Sequence, residues 1–170
     1  MNAIELPEVT SEQWNALVDD EPSPWGGGES EGLQWVRKQR FVAVFDETGS
    51  PVALAGALVT EVSAGEELFE VVGIGSVIVT RRRRGEGLTR IVVEAIVELA
   101  RELGPARAML FCLDHLTGLY ARFGFRELPG DVTAEQPGGR IVVPMRAMWA
   151  PLAPGATWPE GEVAVLGGPF

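Results

Sequence analysis

Two periodicities divide the chain. From Leu88 to Leu103 the apolar residues Leu88, Ile91, Val92, Ala95, Ile96, Leu99, Ala100 and Leu103 recur at three-and-four spacing, the stripe of a helix with one buried face, and Gly104-Pro105 stops it. Either side of that helix the pattern is continuous rather than periodic. Phe69 to Thr80 is almost unbroken apolar and rich in β-branched residues, as a strand buried on both faces would be, and Ala108 to Leu113 is a second such run. Phe41 to Phe45 and Val52 to Val59 flank Asp46-Glu47-Thr48-Gly49 and predict a β-hairpin. Thr10 with Gln13 predicts a capping box opening a short helix through Trp14, Leu17 and Val18. That helix gives way to an acidic, Pro- and Gly-rich stretch from Asp19 to Gly28, expected to be a mobile loop, and a second short helix is expected through Leu33, Trp35 and Val36.

Later in the chain, Asp114 is a candidate N-cap for a helix carrying Leu116, Leu119, Tyr120 and Phe123, closed by Gly124. Phe125 to Leu128 and Ile141 to Met145 then read as strands joined by a polar loop around Gln136-Pro137-Gly138-Gly139. The Pro- and Gly-rich tail from Pro151 either adds a terminal strand or wraps the sheet. The order of elements predicts an α+β fold: a mixed sheet with helices packed on it. At 170 residues and 46% apolar composition, a single domain over 1–170 is expected, with its core at about 41–146 and a C-terminal tail at 147–170.

Composition narrows the chemistry. Cys112 and His115 are the only residues of their types, too few soft ligands for a zinc site, so no metal is expected. No apolar run reaches the roughly 18 residues of a membrane span. Glu5, Glu8 and Glu12 stand where a secretory signal needs positive charge, so the expected location is the cytoplasm. A net charge of -10 opposes binding to nucleic acid or anionic lipid and suits a cationic small molecule.

Against that background four arginines stand together, Arg81 to Arg84, between the long buried strand and the long helix. The passage runs Arg82-Arg83-Arg84-Gly85-Glu86-Gly87. A helix start leaves its first N–H groups unpaired at the positive end of the dipole, glycines let the backbone approach a ligand closely, and arginines add charge, so a diphosphate is the expected ligand. The plainer reading is a solvated charge run. The dinucleotide fingerprint wants a third glycine, and the nucleotide P-loop wants Gly-Lys-Ser/Thr where Gly87-Leu88-Thr89 stands. Inside the preceding strand, Gly73 and Gly75 suggest a bulge or the close approach of a chain-like molecule, the alternative being relief of crowding under a helix.

With Arg82, Gly85 and Gly87 at the spacing of a pyrophosphate loop, and with Tyr120-Ala121-Arg122-Phe123-Gly124-Phe125 as a second signature, the sequence from about Phe41 to Met145 resembles the GNAT superfamily of acyl-coenzyme A-dependent N-acetyltransferases. The resemblance implies a mixed, mostly antiparallel central sheet with helices on both faces and a splayed pair of central strands. It implies acetyl-coenzyme A as co-substrate and transfer of its acetyl group to a primary amine by direct attack in a ternary complex. By position it gives the backbone of Val77, Ile78 and Val79 to the pantetheine arm, and the pyrophosphate to Arg82, Arg83, Arg84, Gly85, Glu86, Gly87, Leu88 and Thr89. Tyr120, the only tyrosine, falls where the family places the hydroxyl that protonates the coenzyme A sulfur. By pattern alone the same residue reads as core, on a stripe with Leu116, Leu119 and Phe123. Many relatives carry a carboxylate in the strand before the loop. Here Gly73, Gly75 and Ser76 occupy that region, so the amine's proton is left to water, a loop carboxylate or Glu70. Cys112 reads as a buried hydrophobe rather than a nucleophile, and His115 as a surface residue.

A weaker resemblance, through Gly138-Gly139, Ile141-Val142-Val143-Pro144 and Gly161-Glu162-Val163, is to the aminoglycoside 2′-N-acetyltransferases, with a departure at Gly75, where that group has an acid. It makes a cationic small-molecule amine such as an aminoglycoside one candidate acceptor. Homodimers are common in the superfamily, so a second copy of the chain is a candidate partner. The alternative to an enzyme is a module that binds acyl-coenzyme A as a sensor or scaffold without turnover.

Overall fold

The structure is a computed structural model, and it describes every residue except Asp20, Pro22, Gly26, Gly27 and Glu29. The chain opens with β1 (Ile4–Leu6) and α1 (Ser11–Val18). The capping box forms: the Thr10 hydroxyl accepts from the Gln13 N–H at 3.2 Å, and the Gln13 side chain accepts from the Thr10 N–H at 2.9 Å. β2 (Arg40–Phe45) and β3 (Pro51–Ala64) make the expected hairpin, whose turn is tied by Asp46: its carboxylate accepts from the N–H groups of Thr48 and Ser50 and from the Thr48 hydroxyl. There follow β4 (Glu67–Val79), α2 (Leu88–Glu102), β5 (Arg107–Cys112), α3 (Thr117–Ala121), β6 (Arg126–Glu127), β7 (Val132–Gln136), β8 (Gly139–Val142), β9 (Arg146–Pro151) and β10 (Val163–Val165).

All ten strands join one sheet in the order β6-β9-β5-β4-β3-β10-β7-β8, with the β1–β2 pair attached to β3. At 14 residues, β3 is long enough to carry β2 along its first half and β10 along its end. Only β4–β5 and β7–β10 are parallel; every other pair is antiparallel. The stripe of α2, through Val92, Ile96 and Leu99, packs on Ala55, Ala57, Val72 and Ile74 on one face. On the other face Leu17 of α1 packs with Leu54 and Ile78. The mixed, mostly antiparallel sheet with helices on both faces is therefore the observed architecture.

Three sequence expectations need correction. No helix forms through Leu33, Trp35 and Val36. That segment runs without regular structure because its backbone is recruited elsewhere: the Val36 N–H donates to Pro169 O at 2.8 Å, and Gln34 exchanges bonds with the Gln136 side chain. The helix expected after Asp114 is a 3₁₀ turn (Asp114–Leu116) running into the short α3, and Asp114 does not cap it, since its carboxylate pairs with Arg146 at 2.9 Å. The polar loop around Gln136-Pro137-Gly138-Gly139 is the tight turn between β7 and β8, so it does not join Phe125 to Leu128 with Ile141 to Met145; of those two runs only Arg126–Glu127, in β6, and Ile141 and Val142, in β8, are strand. The tail does both things open to it, adding β10 and running on to Phe170 beneath the sheet. Asp20, Pro22, Gly26 and Gly27, within the expected mobile loop, lie outside the described residues.

The glycines of β4 are explained by what lies over them. A Cβ built on Gly73 would sit 2.7 Å from the Phe170 ring, and one on Gly75 would sit 2.7 Å from Lys38 Cε. Crowding is thus relieved, on the face away from α2. Gly73→Val should displace Phe170 and lower stability by about 1–3 kcal/mol, as overpacking does. Chemical denaturation of Gly73→Val, Phe170→Ala and the double variant checks this, since the two losses should be less than additive if the ring is what the new side chain strikes.

Candidate functional site

A cleft of about 1060 Å³ opens where β4 and β5 part. Their pairing ends at Ile74↔Leu110 although β4 continues to Val79. The cause is local. Between the pairs Gly56↔Gly75 and Leu54↔Ile78, Ala55 faces two residues, Ser76 and Val77, so β4 carries a bulge there. Ser76 takes φ 53°, a conformation that costs a non-glycine residue free energy and persists where its surroundings enforce it. The bulge expected from Gly73 and Gly75 is real but lies one residue beyond them. It turns the strand so that, from Gly75 on, one backbone edge of β4 has no strand partner.

At the end of that edge the chain passes through the short 3₁₀ turn Arg81–Arg83 into α2. Gly85 and Gly87 have φ of 88° and 80°, and a Cβ at either would meet nothing, so these glycines are required by backbone conformation rather than by space. Gly87 is the N-cap of α2, and no side chain caps the helix. The first-turn N–H groups at Leu88 and Thr89 are thus offered outward at the positive end of the dipole.

The arginines are engaged by acids of the same chain. Arg82 pairs with Asp19 at 3.0 Å, Arg83 with Glu86 at 2.7 Å, and Arg84 with Glu21. The hydrogen bond from Arg84 holds the Glu21 carboxyl below its ordinary value, and Arg83 does the same to Glu86. A second contact comes from the same loop: Trp25 Nε1 donates to Val77 O at 2.9 Å on the open edge of β4. Of the expected cofactor residues, Val77 and Arg84 line the cleft, whereas the side chains of Ile78 and Val79 are buried on opposite faces of the sheet.

Tyr120 reaches the cleft from α3, on the far side of the opening. Only 7% exposed, it packs edge-on against Phe125 at 6.2 Å, so its core role and its place in the site coexist. Burial, with the Cys112 thiol as a lesser cause, pushes its hydroxyl well above the ordinary phenol value, so it is protonated throughout the physiological range. Cys112 is buried and pushed up to about 11, chiefly by burial, which keeps it a thiol and agrees with its reading as a small hydrophobe. His115 lines the cleft. Glu70 does not: it is exposed opposite Glu61 on β3, away from the opening, which weighs against it as a base.

Lys38 is the residue that sequence reasoning passed over. It is 7% exposed, lies along Gly56 and Gly75, and lines the cleft at its floor. In the string Trp35-Val36-Arg37-Lys38-Gln39-Arg40 it resembles any surface cation; the available signal was a glycine on β3 facing a glycine on β4. Burial lowers its ammonium to about 8. Among the described residues no group of three or more His, Cys, Asp or Glu side chains is placed to hold a metal ion, and no helix is long and apolar enough to cross a membrane.

With this geometry in view, the comparisons agree. The profile of the Acetyltransferase (GNAT) family matches residues 10–125, and the chain belongs to that family. Over 82 residues it is 35% identical to glucosamine 6-phosphate N-acetyltransferase 1 of Oryza sativa subsp. japonica, a match covering 48% of this chain and 50% of that protein; the chain thus spans about half the length of this curated relative. Its fold is similar to that of the GNAT family N-acetyltransferase YhbS of Escherichia coli, solved in complex with CoA, with a TM-score of 0.61, 21% identity and coverage of 97% and 90% of the two chains. It is also similar to a GNAT superfamily phosphinothricin acetyltransferase of Sinorhizobium meliloti in complex with AcCoA, with a TM-score of 0.58, 18% identity and 95% of each chain covered.

The lowered titration of Lys38 has a consequence for stability. Between pH 8 and 10.5 the unfolded chain holds a proton that the folded chain has released, so folding stability should rise with pH across that window. Denaturation midpoints of the wild type and Lys38→Met at pH 7, 8 and 9.5 check this: the rise should flatten in the variant, which should also be the more stable of the two at pH 7.

Proposed function

We propose that the chain transfers an acetyl group from acetyl-coenzyme A to the primary amine of a small molecule. The observation that carries this reading is the continuity of two features. The open edge of β4 runs straight into an uncapped helix start whose two glycines are both left-handed. An extended amide-bearing arm suits the first and a diphosphate suits the second. Coenzyme A bears both, in that order.

In this reading the backbone of Val77 to Val79 pairs with the pantetheine arm, which requires the Trp25 indole to leave Val77 O. Arg82 to Thr89 receive the pyrophosphate, with Arg82 and Arg84 exchanging Asp19 and Glu21 for phosphate oxygens. The neutral acceptor amine forms a bond from nitrogen to the acetyl carbonyl carbon as the carbon–sulfur bond breaks, and Tyr120 gives its proton to the departing sulfur. A raised phenol is still a competent donor to a sulfur held in the same desolvated space, where an unprotonated thiolate is costly. The amine's proton goes to water or to a carboxylate of the loops, and Glu31 and Glu21 are candidates that line the cleft. A cytoplasmic setting and a second copy of the chain as partner belong to the same reading. The acidic surface would draw cationic acceptors, an aminoglycoside among them, but the cleft floor carries Lys38. A sensor that binds the coenzyme without turnover is the second reading, favoured by glycine where relatives have a carboxylate.

Acetyl-coenzyme A should raise the thermal midpoint, and Gly87→Ala should weaken its binding about tenfold or more, measured by calorimetry, because the new side chain opposes the left-handed turn. A well-folded preparation indifferent to millimolar coenzyme A would remove this account. Tyr120→Phe should lower free-thiol release with an active amine by about 100-fold while coenzyme affinity holds; unchanged turnover would take Tyr120 out of the mechanism. A sensor would release no thiol with any amine.

A further inference from the structure

Lys38 is laid into the sheet as a built feature. Gly56 and Gly75 are cross-strand partners, and a Cβ on Gly56 would sit 2.6 Å from Lys38 Cγ, while one on Gly75 would sit 2.7 Å from its Cε and 3.0 Å from its Nζ. Two facing glycines thus make a trough one side chain wide, on the face away from α2. The lysine stem fills it, and the ammonium emerges beside Ser76, where the strands part.

That ammonium is poorly satisfied. Among the described residues its one hydrogen bond is to Val36 O at 3.3 Å, and no carboxylate lies within ion-pair distance of it. The described residues bring other titratable groups to the same cleft. From its own segment come Arg37 and Glu31, and Glu31 accepts a bond from Ser23 at 2.9 Å. From the loop after α1 comes Glu21, held by Arg84. From β5, the 3₁₀ turn that follows it and α3 come the Cys112 thiol, His115 and the Tyr120 hydroxyl. The terminal carboxyl carbon of Phe170 lies 3.1 Å from the same Cβ point on Gly75, though its carboxylate forms no ion pair with Lys38. Among the described residues, the charged side chains lining this cleft are Arg37, Lys38 and Arg84 against Glu21 and Glu31; Arg84 and Glu21 pair with each other, which leaves two cations against Glu31 and the terminal carboxyl of Phe170, in a chain of net charge -10.

A buried ammonium that no carboxylate directly pairs is costly, and a ligand that supplies such a pair gains what the protein forgoes. We propose that Lys38 selects the acceptor: its ammonium receives an anionic group, a carboxylate or phosphate monoester, carried by the amine that is acetylated. The acceptors are then zwitterionic or acidic amines. A polycation would bring like charge against Lys38 at the floor, whatever the exterior attracts. The proposal rests on the acetyl-transfer reading and adds the substrate class to it. In the site the anion and the amine lie on one molecule, so Lys38 positions the nucleophile as well as choosing it.

The test uses matched amines: tyramine against tyrosine, glucosamine against glucosamine 6-phosphate, and kanamycin as the polycation. Free-thiol release with acetyl-coenzyme A gives kcat/KM for each. The anionic member of a pair should be favoured by about tenfold or more. Lys38→Met should bring the two members of that pair within about twofold, mainly through KM, while Lys38→Arg keeps most of the preference and coenzyme A affinity stays as it was. A preference for tyramine, glucosamine or kanamycin overturns the proposal, and so does a preference for the anionic member that survives Lys38→Met. A readout free of turnover accompanies it: the Lys38 titration, followed by NMR on labelled lysine, should move up by about a unit or more when tyrosine or glucosamine 6-phosphate is added to the coenzyme-loaded protein. A midpoint that ignores both shows an ammonium satisfied within the protein and overturns the proposal. Failure of coenzyme A itself to bind sinks the parent reading instead, which calorimetry separates from these outcomes.

Discussion

The structure depends on where the β4–β5 ladder stops. Backbone pairing is held through Ile74↔Leu110 and then abandoned, because the bulge at Ser76 and Val77 turns β4 out of register with what would follow. A central strand seldom gives up pairing inside a sheet, since each unpaired amide is a desolvation cost. Here the cost is confined to a few residues and set next to a helix whose first amides are also unpaired. One local irregularity thereby produces both the cleft and the alignment of its two ends.

Much of this was legible in the residues. The stripe of α2, the doubly buried β4 and the Thr10–Gln13 capping box are written in local pattern, and the structure repeats them nearly residue for residue. The junction we propose for the pyrophosphate was visible too, because the arginines and glycines are contiguous and stand where a strand meets a long helix. What could not be read was non-local. Val36 is extended because Pro169 accepts its N–H, and the β7–β8 hairpin joins the sheet because β10 lies beside β7; no window of ten residues contains either cause. Lys38 belongs to the same class. Its burial follows from two glycines on neighbouring strands, and a lysine between Arg37 and Gln39 carries no sign of that.

The charges of the loop show how the chain holds a cationic site in an acidic protein. Arg82, Arg83 and Arg84 would repel one another if left bare, and Asp19, Glu86 and Glu21 offset that. The pairs are largely exposed, so each contributes little to stability and is readily exchanged for a stronger anion. Trp25 occupies Val77 O on the same terms. The site is thus covered by contacts weak enough to yield.

The sheet order also bears on how the molecule reaches this state. The β7–β8 hairpin joins the remaining strands through β10, which inserts between β7 and β3 by pairing parallel with the first and antiparallel with the second. Its partners on β3 lie about a hundred residues earlier in sequence. Loop-closure entropy of that size slows the step, and until it is complete the hairpin and the far end of β3 both present open strand edges. On the ribosome the segment around Val163 emerges late, so the nascent chain passes through a period in which its first half is folded and its sheet is still incomplete, the interval when it is most exposed to association with neighbours.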